Sequence, residues 1–100
     1  MQVVEEKGIW TPRFDIVAAR ALEAKDELRS RVASTSGEFT IDLSEVRIID
    51  SRGLGILISV LKSLEAAGRS LRLRGANEDL IDVFRLIRLD RHVLLEREER

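Results

Sequence analysis

The sequence predicts an α/β fold: a small mixed β-sheet in the order β-β-α-β-α-β-α-β, with the helices packed on the sheet. Three observations predict it. Apolar and polar residues alternate in Phe39-Thr40-Ile41-Asp42-Leu43 and in Leu71-Arg72-Leu73-Arg74, the period of a strand with one buried face. Between and after these stretches apolar residues recur at spacings of three and four, the period of a helix. Turn and cap signals punctuate the periodic stretches: Ser34-Thr35-Ser36-Gly37, Gly68 and Asn77. Strands separated by helices imply mainly parallel pairing through right-handed crossovers.

The elements follow in order. Residues 2–6 (QVVEE) and 9–14 (IWTPRF) read as two short strands around a turn at Lys7-Gly8. Pro12 cannot donate to a ladder, so an edge position or a bulge is expected there. Asp15 is expected to N-cap a helix running from Ile16 to about Ala33. Val17, Ala21, Ala24, Leu28 and Val32 form its apolar side. Arg20, Glu23, Asp26, Glu27 and Arg31 form the wet side, with Glu27 and Arg31 one turn apart. After the strand at 39–43, Val46 to Ile49 is a short apolar approach to a second helix, from Ser51 to about Ala67. Leu54, Leu57, Ile58, Leu61 and Leu64 form its core stripe, and Gly68 closes it. Asn77 caps a third helix with Leu80, Val83, Phe84 and Ile87 inward. Val93-Leu94-Leu95 reads as a last strand, and 97–100 as a solvated end. With no repeat, low-complexity tract or linker, one domain spanning 1–100 is expected.

Composition excludes several functions. Cysteine is absent, and His92 is the one histidine, so no thiolate or His-rich metal site is expected. No cofactor is expected either. The net charge is −1, with both signs interspersed, which gives no basic face for nucleic acid. No apolar run approaches the roughly 20 residues of a membrane helix, and residues 1–8 lack the features of a signal peptide. A cytoplasmic location and a free monomer are the expectations. No Walker-type cradle is present, and a lone histidine near the C-terminus serves no Ser-His-Asp arrangement. Paired carboxylates at 5–6, 26–27, 78–79 and 98–99 fit solvated faces better than acid–base chemistry. The chain reads as a substrate of enzymes, not as an enzyme.

The informative stretch is Asp50-Ser51-Arg52-Gly53-Leu54-Gly55, at a strand-to-helix junction. A serine at a helix start lies beside unpaired backbone N–H groups, and the helix dipole favours negative charge there. A phosphate on Ser51 is therefore tolerable in the fold, and it adds a charge of about −1.5 to −2 near neutral pH. In a docking surface that charge would repel an acidic or apolar partner. The plain alternative is that Ser51 is an ordinary N-cap, worth about 1 kcal/mol. Asp50 is an equal candidate for the cap, leaving Ser51 in the first turn. Gly53 and Gly55 each cost roughly 1 kcal/mol relative to Ala inside a helix, so something should offset them. Gly55 lies one turn beyond Ser51, where either close approach by a partner or internal packing would explain it. Packing is favoured for Gly53. Ile56 and Val60 lie beside the core stripe, as edge core or as the apolar part of a docking face. Arg52 could clamp a phosphate or a partner carboxylate, or be simply solvated. Trp10 reads as partly buried core, Arg72 and Arg74 as the wet face of a strand, and His92 as a surface residue.

Residues 39–84 resemble the STAS domain of anti-sigma factor antagonists, a bacterial family. The resemblance rests on an Asp-Leu-Ser step at 42–44, then Asp-Ser-x-Gly-Leu-Gly at 50–55 opening a helix, then a Gly, an apolar strand and a further helix. Pro12-Arg13-Phe14-Asp15 resembles the family's Gly-x-Leu-Asp step, with Pro12 in place of the glycine, and 86–90 resembles its closing segment. The family's final helix is expected to be short or missing. The resemblance implies that Ser51 is the phosphorylation site. Unphosphorylated protein would bind an anti-sigma factor that is also a serine kinase, freeing a sigma factor. Phosphorylation would release it, and a metal-dependent serine phosphatase would restore it. Asp50 could also orient the Ser51 hydroxyl for that kinase. The partner-binding face would comprise Asp15, Ile49, Asp50, Ser51, Arg52, Gly53, Leu54, Gly55 and Ile56. The alternatives are a non-phosphorylated STAS scaffold or regulatory subunit of a transporter or signalling complex, and a nucleotide-binding module.

Overall fold

The computed structural model describes residues 8–98. Its strands are β1 (Ile9–Trp10), β2 (Phe39–Asp42), β3 (Leu71–Ala76) and β4 (Leu94–Arg97). Its helices are α1 (Ala21–Ala33), α2 (Ser51–Ala66) and α3 (Glu78–Leu86), with 3-10 turns at Ala18–Arg20 and Leu89–Arg91. The strands form one sheet in the order β1-β2-β3-β4, every neighbouring pair parallel. Sequential order with crossovers of one hand places the three helices on one face. The strand expected at 2–6, and with it the mixed character of the sheet, lies outside the described residues.

The alternation in β2 and β3 sorts the two faces. Phe39, Ile41, Leu71 and Leu73 are buried, and they meet Trp10 of β1, Ala24 and Leu28 of α1, Leu57, Leu61 and Leu64 of α2, and Phe84 of α3. The opposite face carries the charges. Arg72 bridges Glu38 and Glu96, and Arg74 pairs with Asp42 at 3.0 Å. Burial alone would push the Asp42 carboxyl up, but hydrogen bonds from Ser44 and Arg74 outweigh it and hold Asp42 below the usual carboxylate range.

Two terminators act as expected. Gly68 takes a φ of 71° just past α2, where its N–H donates to the Glu65 carbonyl and the Arg69 N–H to that of Leu64. The Asn77 side chain accepts the Leu80 N–H at 2.9 Å to open α3. Arg69 adds a tie that local periodicity does not reveal. Its guanidinium donates to the carbonyls of Val32 and Gly37 and to the Thr35 hydroxyl. A cation thus sits at the carbonyl end of α1, where the helix dipole favours it.

Several boundaries differ from expectation. The strand expected at 9–14 ends at Trp10, and Pro12, without a donor, follows it. The first helix does not begin at Ile16. The Ile16 N–H donates to the Ile48 carbonyl and its carbonyl accepts the Asp50 N–H, so Ile16 forms a parallel bridge with Ile49. That pairing holds the backbone extended, and α1 starts only after the turn at 18–20. Asp15 is accordingly not its N-cap. In α1, Glu27 accepts the Trp10 indole N–H at 3.0 Å, and Arg31 donates to the Ile9 carbonyl. Both are drawn to β1 rather than to each other. In α3 the buried set is Leu80, Ile81 and Phe84, whereas Ile87 is exposed, because the helix ends at Leu86.

Candidate functional site

The site is built where the start of α2 meets the segment before α1. Asp15 sends one carboxylate oxygen to the backbone N–H groups of Arg47 (2.9 Å) and Ile48 (3.1 Å). Beside it runs the Ile16–Ile49 bridge. Asp50 then closes the junction: Oδ1 accepts the Gly53 N–H and Oδ2 the Ala18 N–H, both at 2.9 Å. Asp50 is therefore the N-cap of α2, and Ser51 occupies the first helical position. The Gly53 N–H, then that of Ala18, then the Arg52 backbone hold the Asp50 carboxyl below the usual carboxylate range.

Gly53 is the closest approach in this junction. A Cβ there would lie 1.9 Å from the Ile16 carbonyl oxygen and 2.8 Å from Ile49 Cγ2. The helix start can meet the Ile16 backbone only without a side chain at 53. Gly55 is the opposite case, exposed, with nothing within 4 Å of a Cβ. Internal packing thus explains Gly53 and does not explain Gly55.

The sequence-derived residues separate into two groups. Ser51, Arg52 and Gly55 are exposed at the start of α2, with Leu54 and Ile56 half-buried beside them. Ile49 and Gly53 are buried beneath, and Asp15 and Asp50 are engaged with backbone N–H groups. The first group forms a surface, and the second holds it in place. Trp10, expected as partly buried core, is fully buried at 1% exposure. His92 is exposed and distant in sequence, its Nδ1 3.6 Å from Glu65 Oε2.

Sequence reasoning did not single out Ile48 and Leu22. Ile48 is 57% exposed and Leu22 74%. Ile48 lies two residues before the Asp50 cap, and Leu22 one turn beyond the Ala18 that Asp50 holds. Ile48 carried a signal, since it stands between the buried Val46 and Ile49. Arg52 also sits where the helix dipole disfavours a cation, the first turn holds no acidic residue, and among the described residues Arg52 joins no ion pair. The exposed start of α2 thus carries a serine, a bare glycine and one unpaired cation, with exposed Ile48 three residues before the serine. Among the described residues no group of carboxylate, histidine or cysteine side chains could hold a metal, and no helix is long and apolar enough to cross a membrane.

The family description "Mlab, STAS domain" matches residues 13–96. This chain belongs to the STAS domain family. The STAS fold also appears in solved structures similar to this chain. One, from Thermotoga maritima, is described as a "putative anti-sigma factor antagonist". It superposes with a TM-score of 0.80 at 26% identity, over 95% of this chain and 82% of that one. Another, a sulfate transporter family protein from Wolinella succinogenes, has a TM-score of 0.76 at 18% identity, over 97% and 82% of the two chains, a likeness of fold alone. A curated Thermotoga maritima protein, also named "Putative anti-sigma factor antagonist", is 41% identical over 51 residues. That match spans 51% of this STAS domain and 45% of the relative's length.

Proposed function

We propose that this STAS domain is an anti-sigma factor antagonist of a bacterial partner-switching system, acting in the cytoplasm. Unphosphorylated, it docks through the surface around Ser51 onto an anti-sigma factor that is also a serine kinase, and the sigma factor is released. The kinase transfers the γ-phosphoryl group of ATP to the Ser51 oxygen; ADP leaves and the hydroxyl proton is lost. The phosphorylated protein dissociates. A metal-dependent serine phosphatase hydrolyses the ester, giving phosphate and the free hydroxyl.

The observation that carries this reading is the placement of Ser51. It is exposed at the first position of a helix already capped by its neighbour Asp50, so the fold does not need the serine as its cap. A phosphate there meets the positive end of α2 and the neighbouring Arg52. The fold tolerates the added charge while a docked partner does not, and the switch needs no large change of shape. The bare Gly55 one turn on allows a partner's backbone to come close. The relatives' names support the same reading. In this reading the protein acts as substrate and ligand.

The test is a pull-down from an extract of the source cell with three baits: wild type, Ser51→Ala and Ser51→Asp. Capture of one ATP-binding kinase by the first two baits and not the third is the expected result. The same partners on all three baits would make Ser51 structural and favour a scaffold or transporter-regulating role. Nucleotide bound directly by the purified domain would favour a nucleotide-binding module.

A further inference from the structure

Between α1 and α2 lies a groove of about 210 Å³ that shares only Ile56 with the surface around Ser51. Its apolar lining is Leu28 and Val32 of α1 and Ile56 and Val60 of α2; Leu28 is buried and the other three are partly buried. The two charged side chains that line it, Lys25 and Arg29, are both cationic, exposed and one turn apart on α1. No carboxylate lines it, although the chain as a whole carries a net charge of −1. Of the acidic residues of α1, Glu23 pairs with Arg20 and Glu27 with Trp10, and Asp26 is exposed and does not line the groove. Among the described residues, neither Lys25 nor Arg29 joins an ion pair. Like charges at this spacing destabilise a helix. A local rule broken beside an open apolar groove is what a binding surface looks like.

We infer that this groove docks an acidic amphipathic helix of a protein partner, with aliphatic side chains in the groove and carboxylates on Lys25 and Arg29. The volume favours side chains over a free ligand. It falls below the roughly 300–1,000 Å³ of small-molecule sites. The length fits as well. From Lys25 to Ala33 is roughly 12 Å along the helix, enough for two turns of an incoming helix with anchors at helical spacing. The docking does not depend on the state of Ser51, so it can fail while the switch stands, and the reverse.

The test is an NMR titration of the full chain, labelled in nitrogen and methyl groups, with two designed peptides of about 18 residues, five helical turns. Both carry leucines on one face; one carries glutamates on the other and its counterpart lysines. The glutamate peptide is expected to bind and to shift the methyl signals of Leu28, Val32, Ile56 and Val60. In the double variant Lys25→Glu, Arg29→Glu, its affinity should fall at least tenfold, and the lysine peptide should gain binding. That gain shows the variant is folded and the groove intact. Failure of the glutamate peptide to bind, equal binding of both peptides, or shifts confined elsewhere would overturn the inference. So would decanoate filling the groove where the glutamate peptide does not. Groove signals that move with protein concentration alone would make the occupant a second copy and overturn it too.

Discussion

The two glycines in the first turns of α2 should respond to the same substitution with opposite signs. In Gly53→Ala the new Cβ would lie 1.9 Å from the Ile16 carbonyl oxygen, a backbone atom that no rotamer change can move. Helix propensity gives back about 1 kcal/mol. Overpacking costs about 1–3 kcal/mol, and loss of the hydrogen bond accepted by that carbonyl a further ~0.5–1.5 kcal/mol. Because the clash is with backbone, the upper half of these ranges applies, and the net loss is about 2–3.5 kcal/mol. In Gly55→Ala nothing lies within 4 Å of the new Cβ, so only the propensity gain remains, up to about 1 kcal/mol. Urea unfolding, followed by the fluorescence of the sole tryptophan, buried Trp10, measures both. At about 4–8 °C per kcal/mol for a domain of this size, Gly53→Ala should melt roughly 8–28 °C lower and Gly55→Ala a few degrees higher. Equal stability of the two variants would refute the packing assigned to Gly53. If Gly55 is bare for a partner, Gly55→Ala should also weaken partner binding while the fold gains stability.

Other predictions follow from the same contacts. Ser51→Asp should leave the fold as stable as wild type or more stable by about 0.3–1 kcal/mol, since it adds negative charge at a helix N-terminus; a large fall in melting temperature would contradict the view that the fold tolerates charge there. Asp50 has its folded-state pKa depressed by the N–H groups of Gly53 and Ala18. Its contribution is therefore present above the unfolded value, about pH 4, and fades as pH falls through the folded one. Asp50→Asn keeps a capping oxygen for Gly53 but loses the titration, so its stability should fall less steeply than that of wild type below about pH 4; identical acid profiles would contradict this. Trp10→Phe keeps most of the buried ring area but loses the hydrogen bond to Glu27, and should cost about 1 kcal/mol in urea unfolding followed by circular dichroism; no loss would make that bond incidental.

Most of the fold was legible because it is written in local periods. The alternation in 39–43 covers β2 and that in 71–74 falls in β3, the helical spacing in 54–64 falls in α2, and Gly68 and Asn77 mark the end of α2 and the start of α3 as residue pattern alone placed them. The misread segment, 15–20, was set by pairing across about thirty residues. The Ile16–Ile49 bridge and the grip of Asp15 on Arg47 and Ile48 leave no periodic trace, and an Asp before an apolar stretch looks like a cap. Aspartate and serine both cap helices well, so sequence left Asp50 and Ser51 open until the Gly53 and Ala18 contacts separated them. Packing was favoured for Gly53 from the sequence, but Gly55 stayed open between packing and a partner, since what a Cβ would meet depends on neighbours far away in the chain. Lys25 and Arg29 drew no notice in the sequence because only the packing of α1 on α2 forms the groove that they line.

The most direct test of the central claim is the affinity of the captured kinase for two forms of this domain, one unmodified and one carrying phosphoserine at position 51. The account predicts that phosphorylation weakens binding by about 100-fold, close to 3 kcal/mol, with an unchanged fold. Affinities that agree within about twofold would contradict a switch at Ser51.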